Sequence, residues 1–423
     1  MAAIRVGIIG GGAAGLAAAV SAARRGARVT ILEHMDRVGK KILSTGNGRC
    51  NYTHRDIRGE HYFSGSRKAV EILLKRYPTE RILEFFREIG VEPLERDGYY
   101  YPASGQASAV LDCLRAECGR LSVEIRCGVT VCEIRAEAGG FCVELRREGE
   151  AESCRFQRLI LACGGKAAPF TGSDGSGYEL ARSLGHRIEP PFPALTGLKG
   201  DPKRFRSLAG IRVRAGLSLV VRGKTMGRDT GELQLTENGL SGIVVFQLSH
   251  QAVQAWERGM YPEIHINFLP GLTEQEASGL LKRRQELLSH KTLGEWGIGL
   301  FHRKLWCELL KEAGLKQEIS VAALSSQECR RLHRIIVDFC VPVSGYLGFD
   351  RAQVTAGGVD MREIRPDTME SDRCPGLYLA GELLDVDGIC GGYNLHWAWA
   401  SGLAAGEAAV FESGGKGAKK GSL

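Results

Sequence analysis

The sequence predicts an α/β protein in which a Rossmann-like nucleotide-binding domain is interrupted by a long insertion. A glycine-rich turn joins an apolar strand to an alanine-rich helix near the amino terminus, and two later apolar strands also end in glycine. The pattern of the chain changes between those two strands. With 423 residues, the chain is long enough for two or three domains. Its 56 glycines and 13 prolines fit a globular protein with many tight turns.

The first element is a strand over Ile4–Ile9, which is followed by the turn and a helix that ends near Gly26. Gly10 permits the tight turn, Gly12 lets the backbone approach a pyrophosphate, and Gly15 lets the helix pack against the strand. The free N–H groups at the helix start would then face the diphosphate.

The second strand, over Ala27–Leu32, ends at Glu33. An acidic side chain at this place accepts hydrogen bonds from ribose hydroxyls and disfavours a 2′-phosphate. A glycine pattern alone is weak, but here strand, turn, helix and acidic strand end occur in the expected order. Together they predict dinucleotide binding, without separating FAD from NAD.

Two later strands belong to the same domain. Arg158–Gly165 is apolar and ends in paired glycines, and Gly376–Glu382 ends in a glycine and an acid. A loop follows, and then a helix that begins near Tyr393 and Asn394, whose first N–H groups favour a negatively charged ligand. Because no second GxGxxG turn follows a strand, no dedicated nicotinamide domain is expected.

The insertion starts with short alternating runs over Pro193–Phe268, which predict a β-rich lobe. From Leu272 the pattern becomes helical, with Thr273 and Glu276 spaced as a capping box. The apolar face of that helix comprises Ala277, Leu280, Leu281, Leu287 and Leu288. Further helices and the returning strands are expected at Leu300–Ala313, Gln327–Ile336, near Ile335 and near Gly345.

The net charge of +7 is concentrated in one segment. Lys199–Arg228 contains nine basic residues and one acidic residue, Asp201. Its apolar residues alternate with Arg212 and Arg214, so a half-buried strand with a charged outer face is predicted. That face is either an ordinary solvated surface or a docking surface for an anion such as a carboxylate, a phosphate or a nucleic acid.

The thirteen cysteines are scattered and never form a CxxC pair. Their spacing therefore predicts neither a disulfide framework nor a metal site, and it favours a reducing, cytoplasmic location. Since no unbroken run of eighteen apolar residues occurs, a membrane partner is not expected.

At these strands and turns the chain resembles a family of bacterial NAD(P)/FAD-dependent oxidoreductases, which includes the bile-acid 3-dehydro-Δ4,6-reductase and aminoacetone-oxidase-like flavoproteins. The resemblance covers nearly the whole chain, and its long carboxyl-terminal motif is very specific. The motifs are GGGAAGLAAA from Gly10, GKKILSTGNGRCN from Gly39, YPASGQASAV from Tyr101, LACGGKA from Leu161, TENGLSG from Thr236, VTAGGV from Val354 and LAGELLDVDGICGGYNLHWAWASG from Leu379.

The resemblance implies a discontinuous Rossmann-like FAD domain, an inserted β-barrel-like domain and a helical subdomain nested within the insert. The expected bounds are 1–190 and 346–412 for the FAD domain, 191–270 and 335–345 for the β-rich insert, 271–334 for the helical subdomain and 413–423 for a flexible tail.

The resemblance also implies which residues hold FAD. Lys41 stands where many relatives have arginine, so its contact loses the planar fork of a guanidinium. Pyrophosphate contacts are expected from Gly10, Gly12, Ala13, Ala14 and Gly15, a ribose contact from Glu33, pyrophosphate or ribityl contacts from Lys40, Lys41, Gly381 and Glu382, an adenine contact from the Val131 backbone, and pyrimidine contacts from the backbone of Gly392, Tyr393, Asn394 and Leu395. Asn47, Cys163 and Gly164 complete the expected FAD-binding set.

The activity that the resemblance implies is reduction of a C=C bond conjugated to a carbonyl, in a steroid or bile-acid-like 3-oxo-Δ4 substrate. NAD(P)H would be a transient electron donor, and the basic face could steer an acidic small molecule. Candidate proton donors are Tyr101, Tyr393 and His396, and Tyr101 and His396 also fit a packing role.

Two alternatives remain open. One is a flavin amine oxidase that passes electrons to oxygen. The other is an RNA-modifying flavoprotein, which the basic segment suggests. Against the second, the segment has a single aromatic residue, Phe205, and no stacking series. No nucleic-acid partner is therefore expected, and the oligomeric state is not predicted.

Overall fold

A computed structural model describes residues 3–411 of the chain. The predicted tail, 413–423, lies outside these residues. The chain divides into two compact units, with one break after Phe192 and the other after Gln353. Unit 1 contains the chain before the first break and after the second, and unit 2 contains residues 193–353.

The helices and strands of the described residues fall into three stretches. Up to the first break they are β1 (Arg5–Ile9), α1 (Ala13–Ala23), β2 (Arg28–Leu32), α2 (Lys40–Ser44), β3 (Thr53–His54), β4 (Tyr62–Phe63), α3 (Arg67–Arg76), α4 (Thr79–Glu88), β5 (Pro93–Arg96), β6 (Tyr99–Pro102), α5 (Ala107–Arg120), β7 (Glu124–Arg126), β8 (Val129–Glu137), β9 (Gly140–Arg147), β10 (Glu150–Phe156), β11 (Arg158–Leu161), α6 (Ser176–Ser183) and β12 (Ile188–Ala194). Unit 2 continues with β13 (Leu198–Lys199), α7 (Pro202–Leu208), β14 (Arg212–Val221), β15 (Lys224–Thr236), β16 (Gly239–Ser241), α8 (Ile243–Glu257), β17 (Glu263–Asn267), α9 (Glu274–Leu287), α10 (Leu293–Trp296), α11 (Arg303–Glu312), α12 (Ser326–Val337), β18 (Phe339–Pro342) and β19 (Gly345–Tyr346). The last stretch holds β20 (Val354–Val359), β21 (Leu377–Leu379), β22 (Asp387–Gly388) and α13 (Tyr393–Ala408).

The main sheet of unit 1 has the strand order β21-β11-β1-β2-β7. Neighbouring strands are parallel, with Ile8 paired to Ile31 on one side and to Ile160 on the other. This is the 3-2-1-4-5 order of a Rossmann sheet, in which ligands bind beyond the carboxyl ends of the strands where the order reverses. The reversal here lies between β1 and β11, so it places the glycine turn after β1 beside the end of β11.

Helix α13 packs directly on α1, although the two lie at opposite ends of the described chain. A Cβ atom at Gly402 would lie 2.3 Å from the Ala14 carbonyl oxygen, and one at Gly406 would lie 2.3 Å from that of Ala18. Ser21 donates a hydrogen bond of 3.0 Å to the Leu403 carbonyl. The small residues of α1 and α13 therefore let the backbones of the two helices approach each other closely.

Unit 2 contains a seven-stranded sheet with the order β18-β17-β14-β15-β16-β13-β19, whose pairings are antiparallel. Along β14, buried residues such as Leu217 and Leu219 alternate with more exposed ones, and Arg212 and Arg214 are exposed. The predicted half-buried strand with a charged outer face is therefore confirmed. Part of the charge is balanced locally, since Arg212 lies 3.5 Å from Glu232.

The helical part of unit 2 follows the sequence closely, with two differences. The capping box of Thr273 and Glu276 is present at the start of α9. Leu281 is buried, but Leu287 is 74% exposed because it is the last residue of that helix. Ile335 is helical and not the start of a strand, since α12 continues to Val337.

In unit 1, the first helix of the chain also differs from the prediction. Helix α1 ends at Ala23, three residues before Gly26. Gly26 takes a φ of +86° in the turn that follows, a conformation that favours glycine.

Within residues 3–411, every helix is either too short or too polar to cross a bilayer. All thirteen cysteines fall in this range, and each is a free thiol.

Candidate functional site

Three glycines in the turn after β1, Gly10, Gly12 and Gly15, differ in what a side chain at each position would contact. Gly10 has a φ of +101°, and a Cβ atom there would lie 2.4 Å from the Ala162 carbonyl oxygen. A Cβ at Gly15 would lie 1.9 Å from the Gly10 carbonyl oxygen, so α1 touches the turn through bare backbone. A Cβ at Gly12 would meet no protein atom within 4 Å. The turn thus leaves open space above Gly12, at the amino-terminal end of α1.

Glu33 lies at the carboxyl end of β2 and is 7% exposed. Its Oε2 accepts a hydrogen bond of 2.7 Å from the Gly11 N–H, and its Oε1 accepts one of 2.8 Å from the Met35 N–H. These two bonds fix the carboxylate beside the glycine turn. Since each carboxylate oxygen has two lone pairs, both can accept a further hydrogen bond.

Lys41 and Glu382 are 341 residues apart and form an ion pair of 2.7 Å. The Lys41 ammonium also donates to the Ala167 carbonyl at 3.1 Å, and Glu382 Oε1 accepts a bond of 3.0 Å from the Thr355 N–H. The structure therefore joins two predicted site residues from distant motifs. Lys40 is not part of this group, because its ammonium pairs with Asp36.

The loop after β11 holds two more of the predicted residues. Gly164 has a φ of +75°. The Cys163 thiol donates to the Ile9 carbonyl at 3.5 Å, and burial raises its pKa to about 12. A thiol with so high a pKa stays protonated at neutral pH, which favours the packing role for Cys163 over redox chemistry.

The start of α13 is organised by side chains that hold the preceding loop. The Asn394 side chain accepts a 2.7 Å bond from the Gly388 N–H and donates a 2.8 Å bond to the Gly388 carbonyl. Gly392 has a φ of +93°, and a Cβ atom there would lie 2.7 Å from Asn51 Oδ1. The first N–H groups of a helix have no partner within the helix, so they remain available at this end.

Asn51 was not among the predicted site residues. Its Oδ1 is buried and has no hydrogen-bond partner within the described chain. A buried acceptor of this kind is costly unless something bonds to it. The signal available in the sequence was its position at the end of the GKKILSTGNGRCN motif.

The three proton-donor candidates have different surroundings. His396 is fully buried; the Thr53 hydroxyl donates to its Nδ1 at 2.7 Å and its Nε2–H donates to the Tyr77 carbonyl at 2.9 Å. Burial lowers the His396 pKa to about 4. His396 is therefore neutral with both nitrogens engaged, which favours its packing role over proton donation.

The Tyr393 hydroxyl lies 3.1 Å from His54 Nδ1, which also accepts a 3.0 Å bond from the Asp56 N–H. Burial raises the Tyr393 pKa well above its usual value and lowers the His54 pKa. This phenol therefore stays protonated and can act as a donor. Tyr101 lies half-buried on β6, paired with Leu94 of β5.

Two further predicted residues are Val131, which lies on β8, and Asn47, which lies in the turn after α2. Val131 is followed by a register shift in the pairing of β8 with β9, which leaves the next residue, Cys132, outside the ladder. Asn47 is exposed, with a φ of +53° in the turn before Asn51.

The sequence profile of the HI0933-like protein Rossmann domain matches residues 4–408. The chain belongs to the HI0933-like Rossmann family. This family membership confirms the resemblance, and the parallel sheet confirms the predicted Rossmann-type α/β fold.

Curated relatives of this HI0933-like chain carry two kinds of name. A protein of Clostridium scindens named 3-dehydro-bile acid Δ(4,6)-reductase is 42% identical over 96% of this chain and 99% of its own length. A protein of Haemophilus influenzae named ribosomal RNA dihydrouridine synthase is 30% identical over 94% of this chain and 96% of its own length.

Solved structures also share the fold. A 3-ketosteroid-Δ4-(5α)-dehydrogenase from Rhodococcus jostii superposes with a TM-score of 0.53 at 15% identity and covers 97% of both chains. The quinol fumarate reductase of E. coli gives a TM-score of 0.51 at 18% identity over 97% of this chain and 70% of its own.

Proposed function

We propose that this chain is an FAD-dependent oxidoreductase that reduces a C=C bond conjugated to a carbonyl group. The 42% identity to a named Δ(4,6)-reductase over almost the full length of both proteins carries this proposal. The two kinds of relative support the same reaction class, because forming a dihydrouridine also means adding hydrogen to a C=C bond next to a carbonyl.

The residues of unit 1 fit FAD. The open space above Gly12 suits a pyrophosphate at the amino-terminal end of α1. The fixed carboxylate of Glu33 suits the hydroxyls of the adenosine ribose, and the Lys41–Glu382 pair would lie along the diphosphate and ribityl chain. At the other end, the unpartnered Asn51 Oδ1 and the first N–H groups of α13 suit the donors and acceptors of a flavin ring.

FAD, when bound, supplies hydride chemistry, and the protein supplies binding, orientation and electrostatics. The amino-terminal end of α13 carries a partial positive charge, so Gly392–Leu395 would stabilise negative charge on the pyrimidine side of the ring. Tyr393 begins this helix and carries a protonated hydroxyl next to His54. We assign proton donation to Tyr393, with His54 as the group that holds its hydroxyl.

A steroid or bile-acid-like enone is the proposed substrate class, and NAD(P)H the proposed electron donor. The basic outer face of β14 offers an attraction for an acidic substrate, as exposed Arg212 and Arg214 lie on it. A ribosomal RNA substrate is the second candidate, because two relatives with that name are 30% and 29% identical and RNA is also an anion.

The test starts with the absorbance spectrum of the purified protein, where a bound flavin is expected. Anaerobic titration with NADH and NADPH should bleach that spectrum. A 3-oxo-Δ4 steroid carboxylate should then restore it without oxygen and yield the saturated ketone. Restoration by ribosomal RNA, and not by the enone, would favour the second candidate.

A colourless protein that cannot be reconstituted with FAD would overturn the cofactor assignment. Bleaching by an amine, followed by reoxidation only by oxygen, would replace the reductase with an amine oxidase. Neither result depends on choosing the correct steroid.

A further inference from the structure

A group of side chains of the types that bind metals lies on the outer face of the unit 2 sheet, the same face that carries Arg212 and Arg214. Along β17 the buried residues are Ile264 and Ile266, so Glu263 and His265 point to the opposite face. On β18, Cys340 pairs directly with His265 and also lies between two buried residues. Strand alternation therefore brings a carboxylate, an imidazole and a thiol onto one face.

The distances within this group match those of a metal site. The ligand atoms of Glu263, His265 and Cys340 all lie within 4.8 Å of one another. His265 Nε2 is 3.5 Å from a Glu263 carboxylate oxygen. Tetrahedral Zn²⁺ with bonds of about 2.0–2.3 Å places its ligand atoms roughly 3.3–3.7 Å apart. Side-chain rotations that move the ligand atoms by a few tenths of an ångström to about 1 Å would therefore give tetrahedral spacing.

A fourth residue fixes the orientation of the imidazole. Asp338 Oδ1 lies 2.6 Å from His265 Nδ1, so the proton sits on Nδ1 and the lone pair on Nε2. Nε2 is enclosed by protein and has no hydrogen-bond partner in the described chain. A carboxylate that holds the far nitrogen of a histidine is the usual outer-shell arrangement of zinc-bound histidines.

The charge around the group is mixed, because Ser218 pairs with His265 on one side and with Arg228 on the other, so a guanidinium lies on the same face. The one guanidinium next to Cys340 that the described contacts include belongs to Arg204, which donates to the Cys340 carbonyl at 3.1 Å. Its charge is already balanced, because it pairs with Glu312 at 2.9 Å and lies 3.6 Å from Glu308. Two carboxylates, from Glu263 and Asp338, remain beside the imidazole.

A pocket of about 290 Å³ opens beside His265 and Asp338, and Ser218, Arg228 and Asp229 are among its lining residues. Neither Glu263 nor Cys340 lines this pocket, and His265 Nε2 is enclosed, so a cation can reach Nε2 only when neighbouring side chains move.

We propose that Glu263, His265 and Cys340 form a zinc-binding site, with Asp338 orienting His265. The mixed oxygen, nitrogen and sulfur donor set suits Zn²⁺, while hard cations such as Mg²⁺ prefer oxygen alone. With three protein ligands, a fourth position remains for water or another ligand. The site belongs to unit 2, and its ligands are separate from the residues that would hold FAD.

The test uses the full chain after treatment with a chelator, with Zn²⁺ measured by equilibrium dialysis and Co²⁺ as a spectroscopic probe. One Zn²⁺ per chain should bind, and Co²⁺ should give a thiolate-to-metal charge-transfer band together with tetrahedral ligand-field bands. Cys340→Ser should abolish the charge-transfer band, and His265→Ala should abolish stoichiometric binding. Asp338→Asn should weaken Zn²⁺ binding by roughly 10–100-fold.

Matched controls are Cys132→Ser and His290→Ala, which remove an exposed thiol and an exposed imidazole elsewhere. Both should bind Zn²⁺ as the unchanged protein does, and circular dichroism should report intact folding for every variant. No stoichiometric binding by the unchanged protein would overturn the proposal, as would a charge-transfer band that survives Cys340→Ser. Metal binding is read without any enzyme assay, so it does not depend on the proposed reductase activity.

Discussion

The nucleotide turn of unit 1 and the outer sheet face of unit 2 are built in opposite ways. Around Gly10–Gly15 the useful groups are backbone N–H groups and open space, and a side chain at Gly10 or Gly15 would collide with a carbonyl oxygen. On β17 and β18 the useful groups are side chains that strand pairing brings together. The residues of the first region are adjacent in sequence, whereas those of the second come from separate strands and are brought together only by folding.

Two histidines make the same contrast. His396 in unit 1 has both ring nitrogens hydrogen-bonded and is fully buried. His265 in unit 2 has one nitrogen held by Asp338 and the other without a hydrogen-bond partner among the described residues. A histidine whose two nitrogens are occupied supports the fold, while one with a free lone pair can bind something else.

The largest effect is expected from the turn itself. Gly15→Ala would place a methyl group 1.9 Å from the Gly10 carbonyl oxygen, so the backbone must move. We expect a loss of bound flavin and a decrease of about 3 kcal/mol in the free energy of unfolding. Flavin absorbance and urea unfolding measure both.

Gly12→Ala is the matched control for this effect. Its methyl group meets no protein atom within 4 Å, so the fold should remain stable while flavin affinity falls. If Gly15→Ala kept its flavin, or if both variants unfolded equally, the division of roles among the glycines would be wrong.

A smaller effect is expected from a side chain in the same unit. Tyr393→Phe removes the hydroxyl beside His54, so substrate protonation should slow by roughly 100-fold, while reduction of the flavin by NAD(P)H should be little affected. Rapid mixing separates the two half-reactions. Tyr100→Phe is the control, since the Tyr100 hydroxyl has only a 3.5 Å contact with Glu95. Equal rates for both variants would exclude Tyr393 as the proton donor.

The contrast between the histidines predicts a pH dependence. Burial lowers the pKa of His396 from about 6.5 to about 4. Between these two pH values the imidazole is therefore protonated in the unfolded chain and neutral in the folded chain. This group should therefore remove about 2 kcal/mol of stability as the pH falls from 7.5 to 5. Glutamine can make both hydrogen bonds without titrating, so His396→Gln should lose correspondingly less stability over that range. If the unchanged protein and His396→Gln lost the same free energy of unfolding between pH 7.5 and 5, as measured with urea, this assignment would be wrong.

The smallest effect concerns unit 2 alone. Thr273→Ala removes the side chain that caps α9 and should lower the free energy of unfolding by about 1 kcal/mol. Flavin content should not change, because the predicted FAD-binding residues lie in unit 1. Gln275→Ala, one residue inside the same helix and outside the capping box, should have a much smaller effect on the thermal midpoint.

Local patterns predicted the elements that depend on local chemistry. Strand, turn, helix and Glu33 follow one another within thirty residues or so, and each contact among them spans little sequence. The start of α13 was predicted as well, because glycine and a helical pattern stand next to each other there. Asn51 was missed, since nothing in its neighbours reveals that its amide approaches Gly392 across the fold.

Other features could not be predicted for physical reasons. Ile335 is β-branched, which favours a strand, but α12 continues to Val337 and the strand expected near Ile335 begins at Phe339. The cysteine spacing predicted no metal site, yet Cys340 faces His265 from a neighbouring strand. Spacing rules detect ligands on one turn or loop, whereas strand pairing can join ligands from any distance along the chain.

The packing of α1 against α13 has a consequence for how the protein is made. Ser21 and its partner Leu403 are 382 residues apart, and translation adds roughly 5–20 residues each second. The first helix therefore emerges from the ribosome about 20–80 s before the helix that covers it is synthesised. During that interval its alanine-rich surface is open to chaperones and to other nascent chains, and a product terminated before Gly402 would never bury it.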